Sequence, residues 1–176
     1  GIKSRQVVNQ GIFADVWADV LAREHYANSE NVLRARDRAM HRKVVLVVDH
    51  YVPTPDRDAG SRTIMAHLHV LLQTGHVVKF WPHNQAYSPG YTEVLQGMGI
   101  EVLQGPDQAP FETWIRETGR ELDVVVVSRP DVAEDVILPI RRHSRAKVIY
   151  YGHDLHFRRM RQQAEVAHDT RMFRLA

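Results

Sequence analysis

Lys-Val-Val-Leu-Val-Val-Asp-His-Tyr-Val-Pro-Thr-Pro-Asp-Arg-Asp-Ala-Gly-Ser, residues 43–61, is the stretch whose reading decides the fold. Val44 to Val48 are consecutive apolar residues between the charged Lys43 and Asp49, the pattern of a strand buried on both faces in a parallel sheet. Pro53 and Pro55 keep the following chain out of helix, and Gly60-Ser61 opens a run in which Ile64, Met65, Leu68, Leu71 and Leu72 recur at helical spacing up to Thr74. Strand, long loop, glycine and helix follow one another. In open α/β sheets such loops, beyond the carboxyl ends of strands, carry ligands, and a glycine at a helix start lets an anionic group approach the free backbone N–H groups.

The rest of the chain repeats the pattern. Gly75 ends the helix, His76–Trp81 reads as a second strand, and Pro82–Tyr91 as a polar loop before a short helix, Thr92–Met98. Ile100–Leu103 is a short third strand, and Phe111, Trp114, Ile115 and Leu122 mark a further helix. Val124–Val127 is a second buried strand, Val132–Arg142 a helix with Pro139 as a kink or late stop, and Lys147–Tyr151 a fifth strand. A charged helical tail is expected from Phe157 to Ala176. Alternating strands and helices with right-handed crossovers predict an α/β fold: a Rossmann-like doubly wound parallel sheet over residues 42–176.

Ahead of it, residues 1–41 read as an N-terminal helical arm. Residues 1–10 are an irregular lead-in; Ile12, Phe13, Val16, Trp17, Val20 and Leu21 form the apolar stripe of a helix reaching Tyr26. Asn28-Ser29-Glu30 caps a second helix, too polar for the core, with Val32, Leu33, Ala35 and Ala39 among charges. Two readings stand: an arm packed on the sheet domain, or the tail of a preceding domain.

Composition narrows the function. The 176 residues, 44% hydrophobic and 25% charged, suit one globular domain with an appendage, and no apolar run approaches the roughly 18 to 20 residues of a membrane helix. The chain has no cysteine, which removes disulfides, thiolate metal sites and thiol nucleophiles, and its start lacks the apolar core of a secretion signal. A cytoplasmic protein is expected. A formal charge of +2 is too small for a nucleic-acid partner, although Arg158, Arg159, Arg161, Arg171 and Arg174 crowd the end. The eleven histidines are scattered without metal-ligand spacing, and Asp56-Arg57-Asp58-Ala59-Gly60 lacks the closing glutamate of a calcium loop, so no metal is expected.

Three strand ends present polar groups to one edge of such a sheet: Asp49 and His50, Ser128 and Arg129, and His153 and Asp154. Their convergence with the Asp56–Ser61 loop would make a cleft. His153 could serve as a general base oriented by a carboxylate, although Asp154, its neighbour in extended chain, points the other way. No Gly-x-Gly-x-x-Gly or Gly-Lys-Thr loop follows the first strand, which argues against a dinucleotide dehydrogenase or a P-loop enzyme.

Four ordered blocks carry a family resemblance: Val-Asp-His-Tyr-Val-Pro-Thr-Pro-Asp-Arg-Asp-Ala-Gly-Ser-Arg at 48–62, Tyr-Thr-Glu-Val-Leu-Gln-Gly-Met-Gly-Ile-Glu-Val-Leu at 91–103, Ser-Arg-Pro at 128–130, and Tyr-Tyr-Gly-His-Asp-Leu-His-Phe-Arg-Arg at 150–159. Together they resemble the N-terminal, acceptor-side domain of a family-four (group 1) GT-B glycosyltransferase, over about residues 43–170. Asn9, Phe13, Trp17 and Leu21 through Tyr26 also look like the last helix of a family-two glycosyltransferase domain, a pairing found in large bacterial polysaccharide enzymes.

The resemblance implies two Rossmann-like domains facing across a cleft, with retention of anomeric configuration and no metal or other cofactor beyond the nucleotide-sugar donor. It implies donor-phosphate contacts from Gly60 and Ser61, acceptor contacts from Asp49, His50, Asp58 and Arg129, and a catalytic role for His153 with Asp154 beside it. The partners it implies are a glycan or lipid-linked acceptor and a C-terminal donor domain of the same polypeptide. That domain's paired glutamates and Arg/Lys pair are not in this sequence, so the chain alone is expected to be inactive. The parent protein could then lie against the inner face of the membrane. The competing expectation is a non-catalytic Rossmann-like binding or docking module; a hydrolase ranks last, for want of a nucleophile motif.

Overall fold

The computed structural model describes residues 2–27 and 30–152. Its centre is a five-stranded, all-parallel sheet in the order β3-β2-β1-β4-β5. The strands are β1 (Val44–Asp49), β2 (Val77–Pro82), β3 (Glu101–Val102), β4 (Val124–Ser128) and β5 (Lys147–Tyr151). Every residue of β1 is buried, because β1 lies between β2 and β4 and is covered on both faces. The register sets Val47 against Phe80 on one side and Val126 on the other, so the carboxyl ends of β1, β2 and β4 finish level.

The alternation along β1 separates two cores. Val45 and Val47 face α4 (Ala59–Gln73) and α5 (Tyr91–Gly97), through Ile64, Leu68 and Leu95. Val44, Leu46 and Val48 face α6 (Phe111–Thr118) and α7 (Pro130–His143), through Ile115, Val132, Val136 and Ile140. Period-two side chains between two helical layers make the doubly wound, Rossmann-like α/β fold expected from the sequence. Trp81, Phe111 and Trp114 form an aromatic cluster on the second face, with Trp81 edge-on to Phe111 at 5.0 Å. α7 runs through Pro139 and ends at His143, so the proline does not stop the helix.

The N-terminal region departs from expectation. Residues 2–10 are helical: α1 spans Ile2–Val16, and after a turn at Trp17 the chain continues as α2 (Ala18–Glu24). The apolar stripe faces solvent, with Phe13 and Trp17 about half exposed. It therefore does not supply the packing against the sheet that its periodicity suggested. The polar segment does. After α3 (Val32–Arg36), Ala39 enters the core, and Arg34 donates to Asp123 Oδ2 (3.1 Å), the Glu121 carbonyl (2.8 Å) and the Ala39 carbonyl (3.2 Å). Asp123 Oδ2 also accepts from the Val44 amide at 2.8 Å, so one carboxylate joins α3 to the first residue of β1.

No helix among the described residues is long and apolar enough to cross a membrane.

Candidate functional site

The loops after β1 and β2 build the site. Backbone pairing continues past the strand ends, with the His83 amide donating to the Asp49 carbonyl (2.8 Å) and the Asn84 amide to the His50 carbonyl (2.9 Å). This holds the two loops together. Between them lies a hollow of about 400 Å³, lined by Tyr51, Arg57, Asp58, Asn84, Tyr87 and Ser88 among others.

Asp58 organises the first loop. It is the N-cap of α4: Oδ1 accepts from the Ser61 amide (2.7 Å), and Oδ2 from the Ser61 hydroxyl (2.6 Å), the Tyr51 hydroxyl (3.0 Å) and the Thr54 hydroxyl (3.3 Å). Burial pushes this carboxyl up, but the bonds from Ser61, Tyr51 and Thr54 outweigh it and bring its pKa down to about 2. Ser61 is buried and gives both its amide and its hydroxyl to Asp58. The start of α4, where a donor phosphate was expected to meet Gly60 and Ser61, thus already holds a carboxylate.

A second cluster sits over the ends of β1 and β4. Asp49 is almost wholly buried; its Oδ1 accepts from the His50 amide (2.8 Å) and from Arg129 Nε (2.9 Å). Arg129 is the N-cap of α7 at φ 71° and ψ 142°, backbone that a residue with a Cβ adopts at a cost. Its guanidinium lies 5.3 Å from the centre of the Tyr51 ring. Burial works against the Arg129 charge, and the Asp49 carboxylate overrides it, raising the pKa. Tyr51 thus joins the clusters, its hydroxyl on Asp58 and its ring under Arg129.

The expected residues fall into two groups rather than one. Asp58 lines the hollow, while Asp49 and Arg129 form a pair beside it. His50 is exposed, its ring tilted at 53° to Tyr51 with centroids 5.5 Å apart, and its Nδ1 is 3.8 Å from Asp131 on α7. The Ser128 hydroxyl, at the end of β4, is buried with no hydrogen-bond partner among the described residues. His153 and Asp154 lie outside the described residues.

Several residues were not singled out by sequence: Tyr51, Arg57, Asn84 and Tyr87, which line the hollow, and outside it His83, whose Nε2 is 3.0 Å from Asp135. A signal was available. The sequence makes Pro82–Tyr91 the loop at the carboxyl end of the strand next to β1, the same edge as the Asp56–Ser61 loop. It is tied to α5: Tyr87 donates to Glu93, whose other oxygen accepts from the Gly90 amide at 2.7 Å. Across the loops, Tyr91 donates to Asp56 (2.7 Å) and lies beneath Arg57.

Chemically, the hollow offers tyrosine rings for stacking, an ionised carboxylate, a guanidinium and a carboxamide. That set suits a neutral polyhydroxylated ligand, with flat C–H faces for the rings and hydroxyls for the polar groups. Family models, curated proteins and solved structures give no match to this chain.

Proposed function

We propose that the chain is the acceptor-side domain of a retaining GT-B glycosyltransferase, receiving a glycan or lipid-linked acceptor at the carboxyl edge of its sheet. The observation that carries the reading is the hollow between the β1 and β2 loops, where Tyr51 and Tyr87 stand beside Asp58, Arg57 and Asn84. Tyrosine faces take the apolar side of a sugar ring, and a carboxylate with a carboxamide accepts and donates to its hydroxyls. In this reading Asp58, Asn84 and Tyr87 hold the acceptor, and Asp49, His50 and Arg129 border the reacting end. His153 and Asp154, which lie outside the described residues, keep in this reading the catalytic role that the resemblance implies. Ser61 orders Asp58 rather than meeting the donor, which leaves the donor-phosphate role to Gly60. The nucleotide-sugar belongs to a second Rossmann-like domain.

The test is binding by the chain, followed residue by residue in NMR spectra. Oligosaccharide fragments of bacterial polysaccharides are expected to shift the signals of Tyr51, Asn84 and Tyr87, with the shifts lost in Tyr87→Ala. UDP-glucose and GDP-mannose at millimolar concentration are expected to leave the spectrum unchanged, and no transfer is expected. Turnover by the chain alone would overturn the division of labour.

A second reading, a non-catalytic binding module, is favoured by the ionised Asp58 carboxylate at the α4 start, which repels a donor phosphate. His153→Ala and Gly60→Ala in a parent protein that carries the donor domain separate the two. Loss of transfer with folding intact supports the enzyme, and unchanged transfer the module.

A further inference from the structure

At the opposite edge of the sheet, the ends of two helices bring arginines together. Arg116 lies in the last turn of α6 and Arg120 in the 3₁₀ turn Gly119–Glu121 that follows it; Arg141 and Arg142 lie in the last turn of α7, and Arg145 just beyond. These side chains line one open basin of about 750 Å³. Both segments lead into the starts of β4 and β5, whereas the hollow follows the ends of β1 and β2. The basin is thus about a strand's length away, roughly 16 Å.

The two helix ends are joined closely. Ser144 Oγ donates to the Gly119 carbonyl at 2.6 Å, and a Cβ on Gly119 would stand 2.8 Å from the His143 carbonyl oxygen. Cations in the last turn of a helix complement its dipole, which accounts for Arg116, Arg141 and Arg142. It does not account for Arg145, which lies beyond the end of α7. Arg142 pairs with Glu112 at 3.0 Å, but among the described residues Arg116, Arg120, Arg141 and Arg145 form no ion pair with a carboxylate. Gathering unpaired like charges in one concavity costs free energy that a bound anion would return.

We propose that this basin binds a phosphate-bearing anion. Guanidinium groups present forked donors that match phosphate oxygens two at a time, and a concave set of them suits a ligand with more than one phosphate charge. The inference is independent of the acceptor site and concerns the other edge of the sheet.

The experiment has two arms on the 176-residue chain: calorimetric titration with inorganic tripolyphosphate, and cosedimentation with vesicles of phosphatidylglycerol against vesicles of phosphatidylcholine. Binding is expected in at least one arm. It should weaken by about tenfold or more in Arg116→Gln/Arg120→Gln and in Arg141→Gln/Arg145→Gln. Lys3→Gln/Arg5→Gln, which removes the same charge from the exposed face of α1, should leave it unchanged. Binding of tripolyphosphate assigns a free anion, and binding of phosphatidylglycerol vesicles alone assigns a lipid headgroup. Absence of binding in both arms, or equal loss in the α1 variant, overturns the proposal. Arg145→Gln, which lies outside both helices, keeps the test valid should a double variant fail to fold.

Discussion

Arg129 Nε donates to Asp49 Oδ1 across 2.9 Å, joining the ends of β1 and β4, and Arg129 holds a positive φ while doing so. The pair is unequal in its access to water. The Asp49 side chain is 2% exposed and that of Arg129 25%. Removing the guanidinium therefore strands a buried carboxylate that, among the described residues, keeps only the His50 amide, whereas removing the carboxylate leaves a cation that can turn to water. Arg129→Ala is expected to cost about 3 kcal/mol, and Asp49→Asn less.

Backbone strain makes a second, separable contribution at the same residue. Arg129→Gly loses the same ion pair as Arg129→Ala but relaxes φ 71°, ψ 142°, and should be about 1 kcal/mol more stable than the alanine variant. Urea unfolding of the two variants measures the difference directly. An alanine variant as stable as the glycine one would remove strain from the account of this turn.

The Asp58 cap predicts a pH signature. Its folded pKa, about 2, lies below the ordinary 3.8, so its stabilisation is complete above the unfolded value and is lost as the pH falls toward 2. At pH 7 Asp58→Ala is expected to cost about 1 to 2 kcal/mol, in the range of a lost N-cap. The gap between wild type and variant should close on acidification. Asp58→Asn keeps an acceptor for the Ser61 amide and should show a smaller gap. Thermal unfolding along a pH series reads both.

The sheet was legible because its evidence is local. Val44–Val48 and Val124–Val127 are apolar runs too short for helices, and Gly75 ends α4 at φ 80°, as its place in the sequence foretold. The edge of the sheet that bears polar groups followed from topology alone. What lay beyond reach depends on partners distant in sequence. Arg34 reads as a solvent-facing charge until Asp123 and three carbonyls surround it, and Ser61 reads as a free helix start until the Asp58 carboxylate closes over it. The stripe on α1 shows the converse: helical periodicity identifies an apolar face, but not whether another surface covers it.

Gly119 predicts a reversal of the usual sign. Its φ is −61°, ordinary helical backbone, so alanine there would on propensity alone stabilise the chain by up to about 1 kcal/mol. Packing opposes this. The added Cβ would lie 2.8 Å from the His143 carbonyl oxygen and 3.2 Å from Ser144 Cβ, and the first of these is backbone that cannot swing aside. Gly119→Ala should therefore destabilise by about 1 to 3 kcal/mol and lengthen the Ser144–Gly119 hydrogen bond.

Lys79 supplies the last test, on the seam between the N-terminal region and the sheet. It sits on β2 with its side chain 8% exposed, and its Nζ meets Asp37 Oδ2 at 2.6 Å and Glu101. Arg36 closes the group from α3 by pairing with Glu101 at 3.0 Å. Because Asp37 is also mostly buried and would keep only the more exposed Arg36, whose Nε lies 3.2 Å from its Oδ1, Lys79→Met would fill the space but leave Asp37 Oδ2 without its cation, at a cost of about 1 to 3 kcal/mol. Lys79→Met/Asp37→Leu removes both charges, while Glu101 keeps Arg36 and its own access to water. The double variant should recover most of the loss, since well-packed apolar replacements of a buried ion pair are often neutral. Chemical unfolding of the two singles and the double variant closes the cycle. Additive losses would mean that the seam is held by apolar contact around Ala39 rather than by Lys79, and that its charges are incidental.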